Sequence, residues 1–349
     1  QTMAPTALRT LMALTLTALP LTTMPAPAAW AQPLADRSPA AVVDPSAPQP
    51  DQPVLVETIR SDRYNRMTLP VRLGGQGPFG FVVDTGAERT VVSRELAERL
   101  GLPSAGQARV IGIAEATMAN LYHLDSMELN QLSLGSQIVP AFGQAAIGGP
   151  GLIGIDSLEN HRLLFDFTTR EISIRPSERT RRRQRQPEFD SDAIVVTARR
   201  EAGRMILSNA TYNGRRIDLI VDSGGQSSVG NRALRRLVQA GRGRNRLVEG
   251  QLTSVTGAQL AVEVGSISSI SIAGIDLNSL PVAYADSPVF AILGLEDRPA
   301  LLLGMDALQL FDRVGVDFAN RRVTFDLPGN SGHRNRNPSI DLRSLAPPR

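Results

Sequence analysis

The chain of 349 residues contains no cysteine. A disulfide framework, a thiolate nucleophile and a cysteine-held metal are all excluded. Lysine is missing as well, so all 37 basic residues are arginines. Histidine occurs three times, at His123, His161 and His333, never at the spacing of zinc ligands. There is no P-loop and no Gly-x-Ser-x-Gly. Aromatic residues make up only 4%. None is interleaved with the arginine runs Arg179–Arg185 and Gly241–Arg246, which therefore read as solvated segments rather than a nucleic-acid surface. Long apolar runs are missing too. The one candidate, Leu11–Thr23, is too short and too rich in Thr and Pro to span a bilayer.

Thirty glycines and 24 prolines favour turns and strands over long helices. Arg9, the apolar run that follows it and the Ala29-Trp30-Ala31 site together read as a signal peptide over residues 1–31, cleaved before Gln32. A periplasmic or secreted location follows. Residues 32–52, rich in Pro and Ala, read as a spacer. Residues 176–192 read as an arginine-rich connector and 329–349 as a loose tail.

The two remaining segments, 53–175 and 193–328, are copies of one another. With Asp84 set on Asp222, Arg66-Met67 falls on Arg204-Met205, Val83 on Val221, Gly86 on Gly224 and Val91 on Val229. Farther along, "GLIGIDSL" (Gly151–Leu158) answers "LLLGMDAL" (Leu301–Leu308). An internal duplication constrains the fold more than any single motif. Within each copy, short β-branched runs alternate with turn signals, which predicts strands. Each copy has one predicted helix at the same offset. The first is capped by Ser93 and stopped at Gly101, the second capped by Asn231 and stopped at Gly241. "AIVVTARRE" (Ala193–Glu201) reads as the first strand of the second copy. "GQGPFG" (Gly75–Gly80) precedes a strand and contains Pro78, so it reads as a hairpin turn rather than a dinucleotide site.

In "FVVDTGA" and "LIVDSGG" a buried-looking strand runs straight into a carboxylate, a cost unless something meets that charge. Each motif is followed by an apolar-apolar-Gly triplet, Leu152-Ile153-Gly154 and Leu302-Leu303-Gly304. Together these features resemble the aspartic proteases, in particular a bacterial periplasmic enzyme with two fused retropepsin-like lobes in a pepsin-like arrangement. The resemblance implies a mainly β fold of two homologous closed β-barrel lobes with one short helix each. It implies an exported endopeptidase with Asp84 and Asp222 catalytic and no cofactor or metal.

Two such carboxylates about 3 Å apart share one proton; the charged one activates water and the protonated one binds the scissile carbonyl. By the same resemblance Thr85, Gly86, Ala87, Ser223, Gly224 and Gly225 support the active-site loops, with Thr85 and Ser223 tying them together. Flap hairpins are expected around Gly112, Ile113 and Ala114 and around Val255, Thr256 and Gly257. The implied partner is an extended polypeptide substrate, with no nucleic acid and no membrane span, and a monomer suffices because the pseudo-dimer is internal. Ala87 and Gly225 lack the hydroxyl many pepsins place there, which predicts a dyad titrating above the pepsin range. Two other functions fit the sequence: a catalytically silent peptide-binding module, and an envelope-structural protein that binds anionic polymers through its connector.

Overall fold

Continuous apolar runs form the central strands, as expected for strands covered on both faces. Phe81, Val82 and Val83 are fully buried, as are Leu219, Ile220 and Val221. The computed structural model describes residues 55–58, 60–61, 66–130, 132–177, 193–241, 246–328 and 339–341. The expected signal peptide, the whole spacer, the run Arg179–Arg185, the middle of the run Gly241–Arg246 and most of the tail lie outside the described residues.

Each copy builds its own sheet around the same three strands. In the first, Gln76–Val83 lies between Met67–Leu73, antiparallel, and Gly151–Ile153, parallel. In the second, Arg215–Val221 lies between Arg204–Tyr212, antiparallel, and Ala300–Leu303, parallel. The register repeats: Val83 faces Ile153 as Val221 faces Leu303. A long hairpin extends each sheet, Ser104–Ile111 with Ala116–Leu124 and Val248–Thr253 with Gln259–Ile272.

A third sheet belongs to both copies. Its six strands run in the order Leu55–Thr58, Glu171–Pro176, His161–Asp166, Arg313–Asp317, Arg322–Asp326, Ile194–Thr197. The central pairing, His161–Asp166 against Arg313–Asp317, joins the halves. Leu163, Phe165, Val314 and Val316 bury their side chains there, and Arg313 Nε binds Asp166 at 3.0 Å across the seam. The predicted first strand of the second copy splits in two: Ile194–Thr197 lies at the edge of this joint sheet, and Arg199–Glu201 pairs with Arg204–Tyr212 at the edge of the copy's own sheet.

The mainly β fold of two copies is as expected, and four details differ. Among the described residues the first sheet is an open path, not a closed barrel, and the second curls back only through a pairing of Arg204–Tyr212 with Gln259–Ile272. The strands at the ends of each copy are used in the joint sheet and so do not close a barrel. The described residues hold six helices, three per copy, instead of one. Arg94–Arg99 and Arg232–Gln239 are those predicted, with Ser93 and Asn231 accepting from the amides of Leu96 and Leu234. Gly101 carries the left-handed φ of +62° that stops a helix. The other four, such as Ile155–Leu158 and Met305–Leu308, span four or five residues and are too short to show a helical period. Finally, Ser339–Asp341, within the expected tail, pairs in parallel with Ile275–Tyr284. "GQGPFG" is mostly strand as well; the turn itself falls at Gly74-Gly75.

Candidate active site

Asp84 and Asp222 each stand one residue beyond their central strand. The amide of Asp84 donates to Ile153 O at 3.0 Å and that of Asp222 to Leu303 O at 3.1 Å, so the parallel ladder ends on the aspartate. This gives the apolar-apolar-Gly triplets their place: the apolar residues complete the strand that supports the aspartate. The glycine lets the next turn press close. A Cβ on Gly154 would lie 2.3 Å from Arg89 C, and one on Gly304 2.6 Å from Ser227 C.

The chain then folds around each carboxylate. Asp84 Oδ1 accepts from the amides of Gly86 (2.8 Å) and Ala87 (2.9 Å); Asp222 Oδ1 accepts from those of Gly224 and Gly225, both 3.1 Å. The two loops interlock. A Cβ on Gly86 would fall 2.4 Å from Asp222 Oδ1, and one on Gly224 2.1 Å from Asp84 Cγ. Each carboxyl therefore occupies the space a side chain would take in the opposite loop, which is why glycine is needed at both places.

Thr85 and Ser223, fully buried, bind the loops across the axis. Thr85 Oγ1 accepts from Ser223 N at 3.0 Å and donates to Val221 O at 2.9 Å. Ser223 Oγ accepts from Thr85 N at 3.1 Å and donates to Val83 O at 2.8 Å. Four such bonds, each contributing about 0.5–1.5 kcal/mol, hold two distant segments in one geometry.

Burial is the largest influence on both acids and raises both pKa values. For Asp222 the charge of Asp84 adds to it, and the carboxyl is pushed up to about 7. The loop amides and nearby arginines pull in the other direction. Both shifts favour the protonated form of the carboxyl, and the two acids influence each other's titration.

Three sets of residues received no role from the sequence. Asp156 Oδ1 accepts from the amide and hydroxyl of Thr90, and Asp306 accepts from those of Ser228. The same hydroxyls accept from the amides of Gly154 and Gly304, so each site loop is braced from behind. The signal was present in the repeated Gly-Ile/Met-Asp. Arg66 and Arg204 are also buried, 5% and 7% exposed, although each is a charged residue, Arg66 just before a core strand and Arg204 at the start of one. Arg204 Nε donates to Gly86 O at 2.6 Å, and Arg66 Nη1 to Gly224 O at 3.4 Å. Their equivalence is visible in the duplication, but their direction across the axis is not.

Gly112, Ile113 and Ala114 sit in the turn of the first hairpin, and Val255, Thr256 and Gly257 in that of the second. The turns meet: a Cβ on Gly112 would lie 2.7 Å from Ser254 Oγ and 3.0 Å from Thr256 Cγ2. Each also reaches the other copy. Ile113 packs on the cluster holding Ile206, Ile220 and Phe290, and its carbonyl accepts from Ser287 Oγ at 2.6 Å. Val255 packs with Ala87 on the cluster holding Val82, Phe142 and Leu152. Among the described residues, no three His, Asp or Glu side chains are grouped to hold a metal ion, and no helix is long and apolar enough to cross a membrane.

Two homologous β lobes, each giving one aspartate to a pair of interlocking loops, with one hairpin from each lobe meeting at its turn, define the bilobal acid-protease class. The aspartyl protease family model matches residues 69–157 and 208–307, once in each copy, and the chain belongs to that family. No curated protein matches it.

Proposed function

We propose that this protein is an exported aspartic endopeptidase acting through Asp84 and Asp222. The observation that carries the reading is the interlocking of the two carboxyls, each in contact with the opposite loop's glycine. Such a pair holds one proton between two acids. The ionised aspartate takes a proton from water as the water attacks the peptide carbon. The protonated one donates to the carbonyl oxygen, and the proton then passes to the leaving amine. No covalent intermediate forms, in keeping with a chain that has no cysteine.

The substrate is an extended polypeptide between the dyad and the two hairpin turns. Backbone hydrogen bonds hold it and alternate side chains enter pockets. The signal-peptide pattern of residues 1–31 supports action outside the cytoplasm, on envelope or secreted proteins at limited sites. The internal pseudo-dimer supports a monomer.

Asp84→Asn and Asp222→Asn variants test this on denatured casein and a peptide library. Each is expected to lose at least 100-fold to 10,000-fold in kcat, the scale of a lost general acid or base, while the thermal transition persists. Full activity in either variant would refute the dyad. Peptide binding without cleavage by the wild type would make the protein a silent binding module instead.

A further inference from the structure

The inference drawn here rests on the dyad proposed above. Arg66 immediately precedes Met67–Leu73, and Arg204 opens the equivalent strand Arg204–Tyr212. Both reach across the axis to the other lobe, Arg204 to Gly86 O at 2.6 Å and Arg66 to Gly224 O at 3.4 Å. Arg66 is held from its own side by Nη2 on Ile147 O at 2.5 Å. These two carbonyls stand at a particular place. Gly86 C=O and Ala87 N–H are the two ends of one peptide unit, and that N–H donates to Asp84 Oδ1 at 2.9 Å. Gly224 C=O and Gly225 N–H are likewise one unit, donating to Asp222 Oδ1 at 3.1 Å.

A cation on the oxygen end of an amide polarises it and strengthens the donor on the nitrogen end. Burying two guanidinium groups is costly unless negative charge lies in reach. Both arginines act electrostatically on Asp84, and Arg204 also on Asp222. Ala87 and Gly225 cannot offer a side-chain donor to either carboxyl.

We propose that Arg66 and Arg204 are crossed positioning residues: each, rooted in one lobe, fixes and polarises the peptide that donates to the other lobe's aspartate, and together they hold the dyad's single negative charge. The charged groups facing Asp84 are Asp222, Arg66 and Arg204; those facing Asp222 are Asp84 and Arg204. Asp156 and Asp306, the next acids along the chain, are turned toward Thr90 and Ser228. Both arginines act to lower the pKa of Asp84, and Arg204 that of Asp222. Removing either cation makes the anion harder to form, so both limbs of the activity profile move to higher pH.

The test uses the full chain with Arg66→Gln, Arg204→Gln, Arg66→Lys and Arg204→Lys. Two readouts are taken: the pH profile of kcat/KM on a casein-derived peptide, and carboxyl titration of Asp84 and Asp222 by carbon NMR, which needs no turnover. Each Gln variant is expected to move both limbs up by about one pH unit, which is about a tenfold loss on the acid limb. The Lys variants keep the charge but lose the reach and the planar donor, and are expected to fall between wild type and Gln. They also serve as the test if a Gln variant does not fold. Limbs and carboxyl titrations that stay in place in every folded variant, while kcat/KM and melting temperature fall together, would overturn the proposal. If the wild type cuts nothing, the protease reading falls by itself. The carboxyl titrations still decide this inference: raised values in the variants support it, and unchanged values refute it.

Discussion

Gly225 occupies a place where a hydroxyl would act directly on the dyad. A Cβ there would lie 3.1 Å from Asp222 Oδ2, with Ser227 O at 3.5 Å, so a serine side chain fits after a small shift. Its Oγ would donate to the carboxylate and favour the charged form. A hydrogen bond to a charged group contributes roughly 1.5–3 kcal/mol, and about 1.4 kcal/mol corresponds to one pKa unit. Gly225→Ser is therefore expected to move the kcat/KM profile about one unit toward acid, as read from a pH–rate series.

The same acids link stability to pH. An aspartate raised from 3.8 to about 7 on folding binds its proton more tightly in the native state. Stability is then greatest below the unfolded pKa and is lost as pH rises through about 7. Asp84 shifts in the same direction. Urea midpoints are expected to fall between pH 5 and pH 8 in the wild type, and to fall less in Asp222→Asn. Equal slopes in the two proteins would contradict a proton held at that site.

Among the elements, the two hairpins carry the clearest consequence. Their turns touch at Gly112, and each turn also packs against the opposite lobe through Ile113 or Val255. Gly112→Val places a branched side chain against Ser254 and Thr256, where a Cβ alone is already within 3.0 Å of both. The meeting of the turns is then lost. KM is expected to rise several-fold with a smaller change in kcat, because the variant disturbs the enclosure of substrate and leaves the carboxylates in place. Steady-state kinetics on a peptide substrate checks this. The hairpins were legible in outline from the duplication, since each copy places a glycine-containing turn at a similar distance from its aspartate. Their mutual contact was not legible, because no sequence pattern relates Gly112 to Ser254. The four shortest helices were also missed: a single turn buries too few residues to leave a periodic stripe.

At the scale of the whole molecule, the joint six-stranded sheet and the four hydrogen bonds of Thr85 and Ser223 couple the lobes. The sheet's seam places Arg313 on Asp166 and on Asp326, so the second lobe's strand engages acids from both copies. Neither lobe can unfold without exposing Phe165, Val314 and Val316 at that seam. Calorimetry on the full chain is expected to show a single transition with calorimetric and van't Hoff enthalpies equal. Two resolved transitions would mean the lobes melt independently.

The sequence alone determined the duplication, the strand-rich copies, the capped helices at Ser93 and Asn231, and the pairing of Asp84 with Asp222 as equivalent positions. These are readable because periodicity, caps and repeats are local or linear in the chain. Only the tertiary structure decided what crosses the axis: which carbonyl each buried arginine holds, how Gly86 and Gly224 make room for the opposing carboxyl, and that the outermost strands of both copies leave their own lobes for a common sheet. Those relations depend on the distance between segments more than a hundred residues apart, and that distance is set by packing, which no stretch of sequence specifies by itself.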